Sequence, residues 1–75
     1  MTAIPLNPVR STSIAGIGYD HEHKRLRVKF SRSGSVYDYL GVSLLMYKAL
    51  CGSTSIGKTL NKLVIPNHKH EKVEE

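Results

Sequence analysis

A single cysteine among 75 residues leaves no internal disulfide for this chain to lean on. Cys51 therefore gives no sign of a secreted, disulfide-built framework. Its place at the end of an apolar stretch reads as a buried helix end. Acidic residues are scarce as well. Only Asp20, Glu22 and Asp38 precede the C-terminal stretch that holds Glu71, Glu74 and Glu75. No paired carboxylates and no Ser-His-Asp set can be assembled, which argues against general acid–base work and against an enzyme. No run approaches the ~18 apolar residues of a membrane span. The N-terminal residues Met1–Val9 carry two prolines and no apolar core, unlike a signal peptide. These absences lead to the expectation of a soluble cytoplasmic protein that needs no cofactor or metal and touches no membrane.

What is present is a small basic domain. Eleven Lys/Arg stand against six Asp/Glu, a formal charge of +5. A chain of this size buries only about 60% of its unfolded surface, so its stability margin is thin. Small domains often add a disulfide, a metal or an oligomer, and with one cysteine a homo-oligomer is the expected staple. The positive charge is clustered: Lys24, Arg25, Arg27, Lys29 and Arg32 fall within nine residues. Such a cluster attracts polyanions over distance.

The chain divides into an irregular lead-in (1–11), an α+β domain (12–64) and a flexible charged tail (65–75). Pro5 and Pro8 block a helix in the lead-in. Ile14–Tyr19 reads as a strand, with Gly16 and Gly18 marking a bulge or a close backbone approach. In Arg25–Phe30, Leu26, Val28 and Phe30 alternate with Arg25, Arg27 and Lys29, the period of a half-buried strand. Ser31-Arg32-Ser33-Gly34 is turn chemistry, and Ser35–Leu40 is a third strand. A four-residue loop sets Val28 opposite Tyr37, Leu26 opposite Tyr39 and Arg27 opposite Asp38. A three-residue loop would move the tyrosines to the basic side. The first register is preferred, because it keeps apolar groups together and pairs opposite charges.

Val42, Leu45, Met46, Ala49 and Leu50 follow the spacing of a buried helix face. Ser43 caps that helix and Gly52 ends it. A second helix starts at Ser55, buries Ile56, Leu60, Leu63 and Val64, and stops at Pro66. The expected architecture is α+β, a three-stranded antiparallel meander with one or two short helices on one face.

The order Gly18-Tyr19-Asp20, Leu26-x-Val28-x-Phe30, a turn glycine, Tyr37-Asp38-Tyr39, Gly41-Val42, a Leu/Tyr-rich helix and Ser55-x-Gly57-x-x-x-Asn61 resembles the KTSC domain family. The resemblance spans about residues 11–64. It implies kinship with the C-terminal extension of some lysyl-tRNA synthetases and with stand-alone bacterial and phage proteins, and through that association RNA binding. Ser43 replaces a proline that often starts the family's helix. Thr59 and Leu60 replace aromatics common before Asn61, and the usual C-terminal aromatic is missing.

Several motifs carry possible chemistry. Gly52–Thr59 fits G-x-x-x-x-G-K-[ST], the phosphate loop of nucleotide hydrolases. It follows a helix rather than a buried parallel strand, so a hydrolase is not expected. A milder reading keeps Ser55, Gly57 and Lys58 as an anion site for a nucleotide or phosphate. Arg25, Arg27 and Lys29, extended by Lys24, Arg32, Lys58 and Lys62, would track a phosphate backbone; the bland alternative is a solvated outer face. Tyr37 and Tyr39 either fill the core against the helix or stack on bases. His21, His23, His68 and His70 read as solvent-exposed rather than as metal ligands. The leading expectation is a nucleic-acid-binding, RNA-type module. A protein-interaction module, such as a phage-encoded factor docking on a host protein through Leu44, Met46, Tyr47 and Cys51, is the second.

Overall fold

Main-chain pairing, more than apolar patterning, sets the extent of the sheet in the computed structural model. The structure describes residues 4–9 and 11–73. Residues 1–3 and 10 of the expected lead-in, and 74–75 of the expected tail, lie outside the described residues. Five strands, β1 (Asn7–Pro8), β2 (Ile14–Asp20), β3 (Arg25–Phe30), β4 (Val36–Leu40) and β5 (His70–Val73), form one antiparallel meander in chain order. Helix α1 (Leu44–Cys51) and the single turn α2 (Ile56–Thr59) follow β4. α2 runs into a π-helical segment, Leu60–Val64, marked by the Ile65 N–H donating five residues back to the Leu60 carbonyl. Among the described residues no helix is long and apolar enough to cross a membrane.

The β3–β4 hairpin takes the four-residue loop. Val28 faces Tyr37, Leu26 faces Tyr39 and Arg27 faces Asp38. Phe30 N–H donates to the Ser35 carbonyl and Gly34 N–H to the Phe30 carbonyl, while Gly34 sits at φ +69°, a conformation that costs glycine little. Period-two alternation then sends Ile17, Leu26, Val28 and Tyr39 to the helix side. There they bury with Val42, Leu50, Ile56, Leu60 and Val64 in one core. Each such aliphatic side chain contributes about 1.5–3 kcal/mol relative to exposure.

Three expectations need correction. Among the described residues the sheet has five strands, not three. β5 lies inside the stretch expected to be a flexible tail, and its sequence, His-Glu-Lys-Val, has no apolar alternation to announce it. It forms because β4 offers a second hydrogen-bonding edge. Leu40 N–H donates to the Lys69 carbonyl at 2.8 Å, and the His68 ring Nδ1–H donates to the Leu40 carbonyl at 2.9 Å. β1 forms at the other edge, where Pro8 can sit without a donor to spare.

Second, α1 turns a different face inward. Leu45 is 81% exposed and Ala49 is exposed, whereas Leu50 is buried and Met46 and Tyr47 are half-buried. The helix has only eight residues, and its ends fix its rotation. Ser43 Oγ accepts the Met46 N–H, Tyr47 stacks on Tyr19 at 4.9 Å and 12°, and the Tyr19 hydroxyl donates to the Val42 carbonyl. Cys51 falls on the exposed side rather than in the core. Third, Leu63 is 39% exposed, because the wider π turn carries it out of the stripe that keeps Leu60 and Val64 buried.

Both readings of the glycine pair in β2 apply. The register shifts between Ile14 and Gly16, leaving a bulge at Ala15. The lead-in then crosses the face of Gly18, where a Cβ would run into the Pro5 carbonyl and lie 2.9 Å from Ile4 Cγ2. Gly18→Ala is therefore expected to push the lead-in off the sheet and cost about 1–3 kcal/mol by overpacking. A thermal melt that left Gly18→Ala level with the parent would show that the lead-in is not packed there.

Candidate functional site

The outer face of the sheet carries the basic strand. Arg25, Arg27 and Lys29 share that face, as their alternation requires, with Asp38 of β4 and Glu71 of β5. Asp38 is 1% exposed and is the one buried charged residue among those described. Arg27 clamps it with two bonds, Nε to Oδ1 at 2.7 Å and Nη2 to Oδ2 at 3.0 Å. Arg25 adds Nη1 to Oδ2 at 3.2 Å and reaches across β4 to Glu71 at 3.3 Å. A bidentate arginine–carboxylate pair is geometrically demanding and strong. Two of the three cations of the strand are thus held by acids of the protein itself. Lys24 and Lys29 make no ion pair among the described residues. Lys24 holds a left-handed backbone at φ +53°, at the end of the turn between β2 and β3.

In that turn Asp20 accepts the backbone N–H of Glu22 and of His23 and a bond from the His23 ring at 2.7 Å. The bond from His23 is the main cause that lowers the Asp20 carboxyl below its ordinary pKa. Asp20, Glu22 and His23 lie close enough to share a metal ion, but Glu22 and His23 are exposed and Asp20 is already employed in shaping the turn.

The phosphate-loop-like stretch folds without a cradle. Ser55 makes no capping bond. Instead Ser53 Oγ accepts the Ser55 N–H and pairs with Thr59 Oγ1 at 2.7 Å, so the hydroxyl in the metal-binding place is used internally. Gly57 is there for close packing: a Cβ would lie 2.6 Å from Ser13 Oγ. Lys58 and Lys62 are exposed on the helical side, away from the basic strand of β3.

The opposite face of the sheet holds an aromatic recess. Helices α1 and α2 cover the sheet around Leu26 and Val28 but stop short of the β3–β4 turn. An open recess of about 360 Å³ remains there, lined by Ser13, Phe30, Arg32, Ser33, Tyr37, Tyr39 and His70, none of them helical. That volume lies at the small end of ligand sites. Phe30 and Tyr37 meet edge to face at 5.9 Å and 72°. His70 stands against Tyr37 at 5.5 Å and 76° and against Tyr39 at 5.8 Å and 45°. These are the offset geometries that aromatic quadrupoles favour. Tyr39 is buried, and burial raises its phenol pKa, with Tyr37 adding to it. It stays neutral at physiological pH. Tyr37 is half-buried and faces the opening. Lys72 pairs with Tyr37 across β4–β5 and so lies on the same face.

The fold brings Arg32, Tyr37 and Tyr39 to the lining of one recess. It places Arg25, Arg27 and Lys29 on the other side of the sheet. Phe30, His70 and Lys72 were not anticipated at the site. Phe30 had the right phase, since it shares a face with Tyr37 and Tyr39. His70 and Lys72 carried no signal, because their strand is defined only by its pairing.

The architecture defines a small α+β domain: an antiparallel meander with a short helical layer over one end of one face. The chain belongs to the KTSC domain family, whose model matches residues 10–67. It is 37% identical over 60 residues to an uncharacterized protein of Stutzerimonas stutzeri, covering 80% of this chain and 83% of that one. Its fold is similar to the crystal structure of a KTSC domain protein from Yersinia pestis, with a TM-score of 0.90 at 28% identity over 96% of this chain and all of the other.

Proposed function

We propose that this KTSC domain is a non-catalytic module that binds single-stranded RNA, seating one base in the aromatic recess. The observation that carries the reading is the uncovered cluster of Phe30, Tyr37 and His70 with Arg32 at its rim. A protein core normally covers such rings. Left open, they offer π faces on which any base can stack, and stacking contributes about 1–3 kcal/mol per base. Arg32 in the turn and Lys72 on the edge strand flank the rings, where the phosphates on either side of a seated base would pass. The recess is too small for a duplex, so unpaired strands fit and paired ones do not. Arg25 and Arg27 are left out of this contact set, because their guanidinium groups hold Asp38.

The test is fluorescence anisotropy with a labelled ten-nucleotide oligouridine over a salt series, against duplex RNA of the same length. Saturable binding of the single strand is expected, weakening with salt. Arg32→Ala and Lys72→Ala should each flatten the slope of log K against log salt by about 0.7, one phosphate contact apiece. No saturable binding at low salt, or slopes unchanged in both variants, rejects the reading.

A second reading has its own observation. Leu45 is 81% exposed on α1 with Leu44 beside it at 37%. Two large apolar side chains at the surface of one helix favour a protein-docking role for that face.

A further inference from the structure

The recess takes His70 from β5, and the main-chain pairing of β5 with β4 is joined by an ion pair on the far side of the sheet. Of the lining residues, His70 alone comes from that strand, and it contacts both Tyr37 and Tyr39. Lys72, the register partner of Tyr37, comes from it too. β5 is a short edge strand, and its side chains His70, Glu71 and Lys72 are exposed. Little apolar burial holds it in place.

Glu71 lies directly opposite Asp38 on the outer face. Like charges opposite one another on neighbouring strands repel. Arg25 reverses that sign: it bonds Asp38 at 3.2 Å with one nitrogen and Glu71 at 3.3 Å with the other. With Arg25 present, docking β5 adds an attraction. Without it, docking would bring Glu71 against the nearly buried carboxyl of Asp38. Arg27 clamps Asp38 on its own account.

We infer that Arg25 and Glu71 form a latch that keeps β5 docked and thereby assembles the ligand recess on the opposite face. Arg25 is a positioning residue here. It acts on the ligand through β5, His70 and Lys72, and does not touch it. The inference rests on the recess being the binding site, and it makes a prediction opposite to that of a phosphate-contacting Arg25. If Arg25 met phosphate, Arg25→Gln would weaken oligouridine binding, and Glu71→Gln, which removes a negative charge, would strengthen it. A latch requires both substitutions to weaken binding, and the double variant to be no weaker than either single one.

Two measurements on the full chain decide the matter. Hydrogen exchange without ligand follows the amides that bridge β4 and β5, Leu40 among them. The side chains of the pair are 37% and 57% exposed, so the effect is modest. Arg25→Gln and Glu71→Gln should each speed that exchange by about two- to fivefold, the range of an exposed ion pair, and both should weaken the contacts between the His70 and Tyr37 rings seen by NMR. Oligouridine affinity should fall by a similar factor in each, and Arg25→Glu combined with Glu71→Arg should restore both readouts. Unchanged exchange in both single variants, or tighter binding in Glu71→Gln, overturns the latch. If exchange and ring contacts respond while the parent protein binds no oligouridine, the latch stands and the RNA reading falls.

Discussion

Arg27→Ala should lower the stability of this domain by about 3 kcal/mol, although the residue sits on a strand whose cations look like solvent-facing decoration. The reason is Asp38. Its carboxylate is 1% exposed, and three bonds from two arginines compensate its burial. Removing one partner of a buried pair leaves an uncompensated charge, which costs about 3–5 kcal/mol. The lower end applies, because Arg25 still donates one bond to Asp38. A domain of this length has roughly 4–11 kcal/mol in total, at 0.05–0.15 kcal/mol per residue. The loss would therefore lower the melting temperature by roughly 12–24 °C. Lys29→Ala, on the same face and without an ion pair among the described residues, should stay within about 0.5 kcal/mol. Replacing the pair together, Arg27→Met with Asp38→Leu, should recover most of the loss, since apolar residues of similar volume need no compensation. Denaturant melts of the three variants check this. An Arg27→Ala protein as stable as Lys29→Ala would mean that the pair contributes nothing. Substituting the whole basic strand at once would confound binding with unfolding.

Tyr37→Ala should weaken oligouridine binding about 5- to 150-fold, the worth of one stacked base. Tyr37 is the tyrosine with ring surface to offer a ligand, because it is half-buried at the opening while Tyr39, in the lining beneath, is only 4% exposed. Tyr37→Phe keeps the π face and should bind within a few-fold of the parent. Tyr37→Leu fills similar space without a π face and should resemble Ala in affinity while retaining more stability. Anisotropy titrations alongside thermal melts separate these outcomes. Equal affinity for Phe and Leu would show that the ring offers shape alone; no change in any of the three would remove the recess from the binding site.

Much of the central hairpin could be read directly. Leu26, Val28 and Phe30 alternate with three cations over six residues, and a turn with Gly34 at its end leaves one register that keeps apolar side chains together. A one-residue slip would have moved every side chain to the wrong face. Asp38 followed from the same register, opposite Arg27. What could not be read was the depth at which that pair would sit. Pairing to β5 on the other side of β4 encloses Asp38, and β5 has no local signature. The site was half visible for the same reason. Arg32, Tyr37 and Tyr39 lie within the hairpin, close in sequence, whereas His70 and Lys72 arrive from more than thirty residues away. Period alone also could not orient α1, since its apolar residues occur on most sides and its end contacts, with Tyr19 above all, choose the buried one.

Local patterning determined the strand alternation, the hairpin register and the helix start at Ser43, because each depends on residues within a few positions of one another. Tertiary structure alone decided that Asp38 would be buried and that Arg25 would also reach Glu71, and that an aromatic recess would stay open on the other face. Both depend on where a fifth strand docks and where a short helical layer ends. Long-range main-chain pairing and the reach of packed elements set those positions, and no window of sequence contains them.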